Sequence, residues 1–317
     1  MPETAFGVVL LNWNGCDDTI AALDSLIAAD PTPKHVVVVD NGSTDESLPR
    51  LRNWATARAP SWTETSAGSI ASARTERWLL LVGAGMNLGF SGGNNLGLGY
   101  LATIRDLSHF LLLNNDAMVA PDYFAQMRDV VRAIPDAALI GCMIYYHPDR
   151  ERIWFAGGYE IQARALVMHR YTEPTDAEPH PTPFVTGCAM MISRSLFEAK
   201  GGLAEVYNPI YWEDGDYSFR ARSGGWKVLM APKARVYHRV GASGNGEQLT
   251  PRTAFLQNRN RGLYVRRNYS GLNRALALAY LTATKPARSI IEVARGRSDI
   301  GSAIFRGFVH GLLDPKL

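Results

Sequence analysis

The sequence predicts an α/β fold in which a mostly parallel, doubly wound sheet is flanked by helices. Two short β-branched segments, "AFGVVLLN" (5–12) and "HVVVVD" (35–40), are bounded by turn residues, as buried parallel strands are. Between them, Ile20, Leu23 and Ile27 repeat at helical spacing. This β-α-β rhythm implies right-handed crossovers between parallel strands.

The same alternation continues to residue 145. Further strands are predicted at 78–82, 110–113 and 139–144, and further helices at 45–56, 91–104 and 121–134. Residues 57–75 are rich in small and hydroxylated side chains, which favours an insertion loop. Later segments predict a hairpin turning at Gly157–Gly158, a proline-rich loop over 172–183, and strand, helix and strand over 184–240.

Two regions are predicted: a ligand-binding and catalytic domain over residues 1–240, and a linker (241–251) with a helical extension over 241–317. Residues 251–317 carry 12 Lys and Arg against 3 Asp and Glu, whereas the whole chain has 33 against 30. This asymmetry suggests an anionic partner. Residues 252–317 are therefore predicted either to pack on the core with a solvated basic face or to dock on anionic lipid at the inner face of the membrane. No recognisable nucleic-acid module accompanies them, so no nucleic-acid partner is expected.

Composition predicts a globular, cytoplasmic protein. With 317 residues and 46% apolar side chains, the chain can bury a substantial core. No window approaches the roughly 20 apolar residues that a transmembrane helix needs. The first apolar run follows no basic segment and is interrupted by Asn12, which favours a strand over a signal peptide. Cys16, Cys142 and Cys188 form no C-x-x-C motif, so buried free thiols in a reducing cytosol are expected.

Polar side chains follow three of the predicted strands, at Asn12–Asn14, Asp40–Asn41 and Asn114–Asp116. Ligands of such sheets bind outside the carboxyl ends of the strands. Asp40 could accept a hydrogen bond from a base imide or a ribose hydroxyl. After it, "STDE" predicts an S-x-x-E capping box made by Ser43 and Glu46.

The segment "NLGFSGGNNLGLGY" (87–100) is rich in glycine. Glycines at 89, 92 and 93 would let the backbone approach a phosphate, and Asn94 and Asn95 supply amides at a helix start. The alternative is a flexible strand-to-helix turn. Both interpretations remain open from this segment alone.

Two residues suggest a metal site. Asp116, in "LLLNNDAMV", offers the hard oxygen ligand that Mg²⁺ or Mn²⁺ prefers, although Asn and Asp also favour turns. His238 closes a predicted strand before a glycine-rich segment. A lone histidine is more often structural, and its position raises the case for a ligand.

The segment "YWEDGDYSFR" places Glu213, Asp214 and Asp216 after the aromatic residue Trp212. Acids at a helix N-terminus complement its dipole. Three carboxylates within four residues also repel, which raises a carboxyl pKa toward the range of a general base. Asp214 is the candidate base, and Trp212, Glu213 and Asp216 are expected to contact the acceptor or to support the site.

In this order the motifs resemble those of family 2 glycosyltransferases of the GT-A fold, particularly the bacterial rhamnosyltransferase-like branch. The resemblance covers residues 5–270. It rests on seven segments: "LLNWNG", "VVVVDNGSTD", "NLGFSGGNNLG", "LLLNND", "VTGCAMMISRSLF", "YWEDGDYSFR" and "HRVGAS". Each is weak alone, whereas the series is specific.

The resemblance implies an inverting transferase that uses a nucleoside diphosphate sugar with Mg²⁺ or Mn²⁺. The donor that it favours is dTDP-rhamnose, and a UDP-hexose is the next choice. The acceptor that it favours is a hydroxyl group of a glycan or of a lipid-linked acceptor, in polysaccharide biosynthesis of the cell envelope. By position, Asp40 would contact the nucleobase or ribose, Asp116 and His238 would bind the metal, and Asp214 would be the base. The other donor-site positions are Asn12, Asn14, Asn41, Asn87, Gly89, Asn94, Asn114 and Asn115.

One departure from the family pattern concerns the metal. Asn114 replaces the first acid of the Asp-x-Asp motif, and an amide coordinates less strongly than a carboxylate. Weaker metal binding is therefore expected.

The sequence also bears on three other protein classes. A sugar nucleotidyltransferase would carry a glycine-rich basic loop after the first strand, and a nicotinamide dehydrogenase would carry G-x-G-x-x-G there; "LNWNGCDD" has neither. A noncatalytic sugar- or nucleotide-binding module remains the alternative from another functional class.

Overall fold

A computed structural model describes residues 4–73, 77–240 and 249–314. The strands in these ranges are β1 (Phe6–Asn12), β2 (His35–Asp40), β3 (Trp62–Ser66), β4 (Leu79–Gly83), β5 (His109–Asn114), β6 (Ala117–Val119), β7 (Ala137–Tyr146), β8 (Ile153–Phe155), β9 (Gly158–Ile161), β10 (Leu166–His169), β11 (His180–Pro181), β12 (Ala189–Ser193) and β13 (Lys227–His238). The α-helices are α1 (Cys16–Ile27), α2 (Ser47–Arg58), α3 (Gly89–Thr103), α4 (Tyr123–Ala133), α5 (Arg194–Lys200), α6 (Glu213–Ser223), α7 (Pro251–Asn268), α8 (Gly271–Ala294) and α9 (Ser298–Leu313).

One large mixed sheet organises the fold, with the strand order β11-β13-β7-β12-β5-β1-β2-β4-β3. The strands β5, β1, β2 and β4 run parallel, as predicted. Strand β3 also joins β4 in parallel, and β12 inserts antiparallel between β5 and β7. The central strands are buried on both faces, which explains their continuous apolar sequences. The α/β prediction is confirmed.

Strand register brings the polar strand ends together. Asn12 pairs with Asp40 across β1 and β2, and Leu11 pairs with Asn114 across β1 and β5. Because these strands are parallel and in step, their carboxyl ends open at one edge of the sheet. The candidate ligand site lies at this edge.

Two sequence predictions about local structure are wrong. Residues 57–75 are not simply a loop, because β3 adds an edge strand to β4 there. Its burial is only partial, so its sequence lacks the apolar run that marks a central strand. The predicted hairpin turn at Gly157–Gly158 is displaced: β9 pairs with β10, and the chain turns at Gln162–Arg164.

The predicted capping box of α2 does not form either. The helix begins at Ser47, and Glu46 precedes it without a side-chain cap. Ser43 Oγ instead accepts hydrogen bonds from Asn12 Nδ2 (3.1 Å) and from Asn14 N (2.9 Å). Ser43 therefore belongs to the strand-end network rather than to the helix.

The C-terminal extension is helical, as predicted, and α7 packs against the core. Three arginines of the basic pattern take part in this packing: Arg259 and Arg261 donate to backbone carbonyls of the core, and Arg267 donates to Asp216. Arg266 donates to Asp314 O within the extension itself. Pro286 lies inside a continuous α8. Within the described residues, no helix is long and apolar enough to cross a membrane. Most of the predicted linker, residues 241–248, lies outside the described residues.

Candidate active site

A chain of hydrogen bonds connects the ends of β5, β1 and β2. Asn115 Nδ2 donates to Thr19 Oγ1 (3.1 Å), and Thr19 Oγ1 donates to Asn12 Oδ1 (2.8 Å). Asn12 Nδ2 then donates to Asp40 Oδ2 (2.8 Å), and Ser43 N donates to Asp40 Oδ1 (3.1 Å). Asn12 and Asp40 are thus buried positioning residues, and Asp40 keeps lone pairs for one further donor on each oxygen.

A cavity of about 390 Å³ opens beside this network. Six of the predicted donor-site residues line it: Asn41, Asn87, Gly89, Asn94, Asn114 and Asn115. Asn12, Asn14 and Asp40 are not part of its wall. Asn14 instead accepts a hydrogen bond from Thr44 N (2.8 Å). We call this space the strand-end cavity.

The loop before α3 forms one wall of the strand-end cavity. Asn41 Oδ1 accepts from Leu88 N (2.9 Å), and Asn87 Oδ1 accepts from Gly89 N (2.8 Å). Gly89 has φ +73°, and a Cβ atom there would lie 2.6 Å from Asn208 Oδ1. Glycine is therefore required at 89 both by its backbone and by its neighbour.

The other two glycines of the predicted phosphate loop have a different role. Gly92 and Gly93 lie inside α3 and are buried. A Cβ atom at Gly93 would lie 2.3 Å from a side-chain carbon of Leu11, so this glycine lets α3 pack closely on β1. Only Gly89 of the three lines the cavity. Asn94 lines it while donating to Phe90 O (2.9 Å).

Asp116 and His238 lie together, although 122 residues separate them. His238 Nε2 is 3.0 Å from Asp116 Oδ1, and both side chains are buried. The antiparallel pairing of β6 with β13 places His238 opposite Ala117, the residue after Asp116. Arg239 N also donates to the backbone oxygen of Asp116 (2.8 Å).

The chemistry of this pair fits a divalent cation. Asp116 Oδ2 makes no hydrogen bond within residues 4–73, 77–240 and 249–314, and His238 Nδ1 is a buried nitrogen without a hydrogen-bond partner there. The same ranges contain no group of three or more His, Cys, Asp or Glu side chains around one point. The protein therefore offers two ligands, which suits an ion that also takes phosphate oxygens from a substrate.

Asp214 is held at the start of α6 by two backbone donors. Gly187 N donates to Oδ2 (3.0 Å) and Gly215 N donates to Oδ1 (2.7 Å). Burial raises the pKa of Asp214 above its ordinary value, and the two N–H groups partly oppose this shift. A carboxyl group with a raised pKa is suited to accept a proton from a substrate hydroxyl.

Glu213 is buried beside Asp214. Burial raises the pKa of Glu213 well above its ordinary value, and the charge of Asp214 raises it further. Its Oε2 makes no hydrogen bond within the described residues. The two neighbouring carboxyl groups therefore do not both ionise easily, as their spacing in the sequence predicted.

Asp216 faces away from both cavities and holds the fold together. Its fully buried carboxylate accepts from Tyr207 Oη (3.0 Å), Arg220 Nε (2.7 Å), Arg267 Nε (3.0 Å) and Asn268 Nδ2 (2.9 Å). These donors come from α6, α7 and the segment before α6. The carboxylate thus joins α7 to the core.

Replacement of Asp216 by alanine should destabilise the protein. The change leaves Arg220 and Arg267 without their buried counter-charge, and we expect a loss of about 3 kcal/mol or more in the free energy of unfolding. Denaturant unfolding measures this. Asp136→Ala, which removes an exposed ion pair with Lys227, is the matched control and should leave the unfolding midpoint unchanged. Equal midpoints for the two variants would contradict this role.

A second cavity of about 380 Å³ contains Asp214, and we call it the Asp214 cavity. Its wall includes Trp212 and residues of α7 and α8: Gln257, Asn258, Arg261 and Lys285. His169 also lines it, stacked on Phe184 (5.7 Å between ring centroids). Burial lowers the pKa of His169 to about 4, so its ring is neutral near pH 7.

Tyr211 belongs to the walls of both cavities. Tyr211 and Trp212 have φ +84° and +79°, which is rare for residues with a side chain. Asn260 Nδ2 on α7 stabilises this turn, because it donates to the carbonyl oxygens of Ile210 (3.0 Å) and Tyr211 (2.8 Å). Strained backbone of this kind clusters at functional sites.

Asp116, His238 and the candidate base Asp214 lie in one region of the structure. Gly187, which binds Asp214, precedes Cys188, and Cys188 O accepts from Asn114 N at the end of β5 (2.8 Å). Burial raises the pKa of the Cys188 thiol well above its ordinary value, and the charges of Asp116 and Asp214 both add to the shift. Asp116 and Asp214 are therefore both near Cys188.

A second contact supports this arrangement. The ring of Trp154 lies 4.6 Å from the ring of His238 and 4.7 Å from the ring of His169, which lines the Asp214 cavity. The structure thus brings together Asp116, His238 and Asp214, the three residues on which the sequence-based hypothesis depends.

Sequence reasoning missed several residues of the strand-end cavity. Trp13 lies on its wall with 45% of its surface exposed, although "LNWNG" was singled out only for its asparagines. The first turn of α7 also contributes, through Thr250, Arg252 and Thr253. Nothing in the helical pattern of residue 250 onward predicts where that helix packs. The site therefore crosses the predicted domain boundary at 240.

Comparisons with known proteins identify a family for the chain. A family model described as "Glycosyl transferase family 2" matches residues 8–200, and one described as "Glycosyl transferase family group 2" matches residues 109–293. Uncharacterized proteins of Mycobacterium tuberculosis and Mycobacterium bovis are 29% identical over 156 residues, 49% of this chain. The match spans only 55% of the length of these curated relatives.

Solved structures share the fold. GalNAc-T7 with UDP, GalNAc and Mn²⁺ superposes with a TM-score of 0.61 at 16% identity, over 83% of this chain and 48% of that one. The mannosyltransferase PcManGT from Pyrobaculum calidifontis, in complex with GDP-Man and Mn²⁺, gives 0.56 at 16% identity, over 98% and 88%. S. aureus TarS 1-349 with UDP gives 0.53 at 14% identity, over 88% and 71%. Since the first family model covers more than half of the chain, from β1 through α5, this protein belongs to glycosyl transferase family 2.

Proposed function

We propose that this protein is an inverting glycosyltransferase, which moves a sugar from a nucleoside diphosphate onto a hydroxyl group of an acceptor. The observation that carries the proposal is the placement of Asp214. Asp214 lines one cavity, and Tyr211 belongs both to the wall of that cavity and to the wall of the strand-end cavity. An inverting displacement needs this arrangement, because the acceptor hydroxyl attacks the face opposite the leaving group.

In the proposed reaction, Asp214 takes the proton of the acceptor hydroxyl as its oxygen bonds to the anomeric carbon. The bond from that carbon to the phosphate oxygen breaks, and the nucleoside diphosphate leaves with the electron pair. The raised pKa of Asp214 supports this role, since a base with a higher pKa binds the proton more strongly. The same carboxylate argues against a noncatalytic binding module.

Donor binding is proposed for the strand-end cavity. Its exposed Trp13 offers a face on which a nucleobase can stack, and Arg252 offers a positive charge to the diphosphate. Asp116 and His238 would hold a Mg²⁺ or Mn²⁺ ion, and a bound ion would neutralise negative charge on the leaving phosphates. The amides of Asn114 and Asn115 would remain near the same phosphates.

Thermal-shift measurements with a panel of nucleotide sugars test which donor the protein binds. Among the structural relatives, the bound nucleotides are UDP and GDP-Man, so the fold does not select one base. We propose dTDP-rhamnose first and a UDP-hexose next. With Mn²⁺, the preferred donor should raise the melting temperature most, and Trp13→Ala should weaken its binding about tenfold.

Tyr171→Ala, which removes an exposed aromatic ring outside both cavity walls, is the matched control and should bind as the wild type does. A melting temperature that no nucleotide sugar shifts would contradict the donor site.

We also propose that α8 rests on a membrane surface that carries the acceptor. Its outer face is apolar, with Leu272, Leu276, Ile290, Ile291 and Val293 exposed, and the extension is basic. Most arginines of α7 are already engaged with the core, and α8 carries five of the exposed large apolar side chains of the extension.

Sedimentation with vesicles of anionic phospholipid tests the contact. The wild type should sediment, and Leu272→Ser with Ile290→Ser should remain in solution. Ile161→Ser, another exposed apolar residue outside the extension, should sediment as the wild type does. Equal sedimentation of all three proteins would contradict the role of α8.

A further inference from the structure

The Asp214 cavity carries two positive side chains without a carboxylate partner in the described part of the chain. Arg261 lies on α7 and Lys285 on α8. Arg261 donates to two neutral acceptors, Ala165 O (2.8 Å) and Arg164 O (2.7 Å). Lys285 makes no hydrogen bond or ion pair within the described residues. Two half-buried cations therefore face one space that also holds Asp214.

Burial of these two positive charges is energetically unfavourable in the absence of an anion. Burial lowers the pKa of Lys285 to about 7, and the charges of Arg261 and Arg288 lower it further. Burial also lowers the pKa of Arg261. Partly buried charges of one sign require either deprotonation or an opposite charge. Since guanidinium groups stay charged, an anion is the natural way to relieve the pair.

A third group in the cavity is an unsatisfied acceptor. Asn258 is only 9% exposed, and its Nδ2 donates to Ala254 O (2.7 Å). Its Oδ1 is buried and accepts no hydrogen bond within the described residues. A ligand that carries a hydroxyl group beside an anionic group would satisfy both kinds of side chain.

We propose, on the basis of the transfer reaction above, that the acceptor is a phosphorylated sugar whose phosphoryl group is bound by Arg261 and Lys285. Asn258 would accept from one of its hydroxyl groups, and Asp214 would take the proton of the attacking hydroxyl. A doubly charged phosphoryl group matches the two cations, and arginine binds its oxygens in a fork. The donor diphosphate is the weaker candidate for this site, because the strand-end cavity has its own cation, Arg252.

Calorimetry of the full-length protein in EDTA tests the site, with inorganic phosphate and geranyl phosphate as probes. EDTA removes the divalent cation that binding of a diphosphate in the strand-end cavity would need. The wild type should bind, Lys285→Met should weaken binding about tenfold or more, and Lys285→Arg should restore it. Arg274→Gln, an exposed arginine on the same helix, and Asp116→Ala should not change the affinity. Equal affinity of Lys285→Met and wild type, or no binding of either probe, would overturn the proposal.

The two probes distinguish two sources of the phosphoryl group. Much tighter binding of geranyl phosphate would assign a lipid-linked acceptor, and equal binding would assign a soluble sugar phosphate; either result supports the site. Since the assay contains neither donor nor metal, its failure would leave the transfer reaction itself intact, which is measured separately as release of nucleoside diphosphate.

Proton uptake provides a readout that a structural role would not change. A bound phosphoryl group should raise the pKa of Lys285, so binding at pH 8 should take up more protons in the wild type than in Lys285→Met. The charged or titratable groups that face Lys285 or share its cavity are Arg261, Arg288, Asp214, Tyr211 and His169. Burial raises the pKa of Tyr211 above its ordinary value, so its hydroxyl is neutral at pH 8. His169 is already neutral at this pH and Arg261 stays charged. Equal uptake in the two proteins would overturn the role of Lys285.

Discussion

Asp214→Asn should abolish most of the transfer activity while leaving donor binding intact. The amide is close in size to the carboxylate but does not accept the proton of the acceptor hydroxyl. General base catalysis contributes about 10²- to 10⁴-fold, so we expect kcat to fall by that factor. The Kd for the donor with Mn²⁺ should change little, because Asp214 lies outside the strand-end cavity. Initial rates and calorimetry measure the two quantities.

Two controls accompany this variant. Asp106→Asn removes an exposed carboxylate paired with Lys34 and should retain full activity. The pH profile of the wild type is the second control. Because the pKa of Asp214 is raised, the protonated, inactive form should persist to higher pH than for an ordinary aspartate. kcat/KM should therefore rise with pH, with a midpoint above the usual pKa range of aspartate. Full turnover by Asp214→Asn would refute the assignment of Asp214 as the base.

Asp116→Ala should remove metal-dependent binding of the donor. Within the described residues, Asp116 and His238 are the proposed ligands, so the loss of one carboxylate would leave a single imidazole. We expect the affinity for nucleoside diphosphate with Mn²⁺ to fall about 100-fold or more, beyond the 10- to 100-fold typical of outer-shell changes. Titration calorimetry with and without Mn²⁺ measures the metal-dependent part.

Asn114→Asp tests the same site in the opposite direction. It adds the carboxylate that the family pattern has at this position, and the side chain already lines the strand-end cavity. Mn²⁺ should then bind more tightly than in the wild type. Asp176→Ala, which removes an exposed carboxylate elsewhere, should leave Mn²⁺ affinity unchanged. Unchanged metal dependence in Asp116→Ala would contradict the assigned ligand.

The sequence was most informative where strands are buried. Continuous apolar runs that end in Asn12, Asp40 and Asn114 predicted both the parallel strands and the shared edge of the sheet, because a buried strand does not tolerate such residues in its interior. The edge strand β3 was missed, since a strand with one open edge needs no apolar run. The ligand contact of Asp40 stays a prediction: its carboxylate accepts from Asn12 and from Ser43 N and can accept one further donor on each oxygen.

Contacts between distant segments were harder to predict. The helical pattern of residues 252–269 shows amphipathicity but does not show where the helix packs. The sequence therefore did not predict that Arg252 lines the strand-end cavity or that Arg261 lines the Asp214 cavity. Likewise, Glu213, Asp214 and Asp216 are neighbours in sequence with different environments. Helical geometry turns Asp216 toward Arg220 and Arg267, while Asp214 faces its cavity.

The most direct test of the account is the position of the ion and the diphosphate. Crystals grown with dTDP and Mn²⁺ would be measured at the manganese absorption edge. We predict an anomalous peak within bonding distance of Asp116 and His238, with the diphosphate in the strand-end cavity and Asp214 outside that cavity. A manganese peak away from Asp116, or a nucleotide bound outside that cavity, would contradict it.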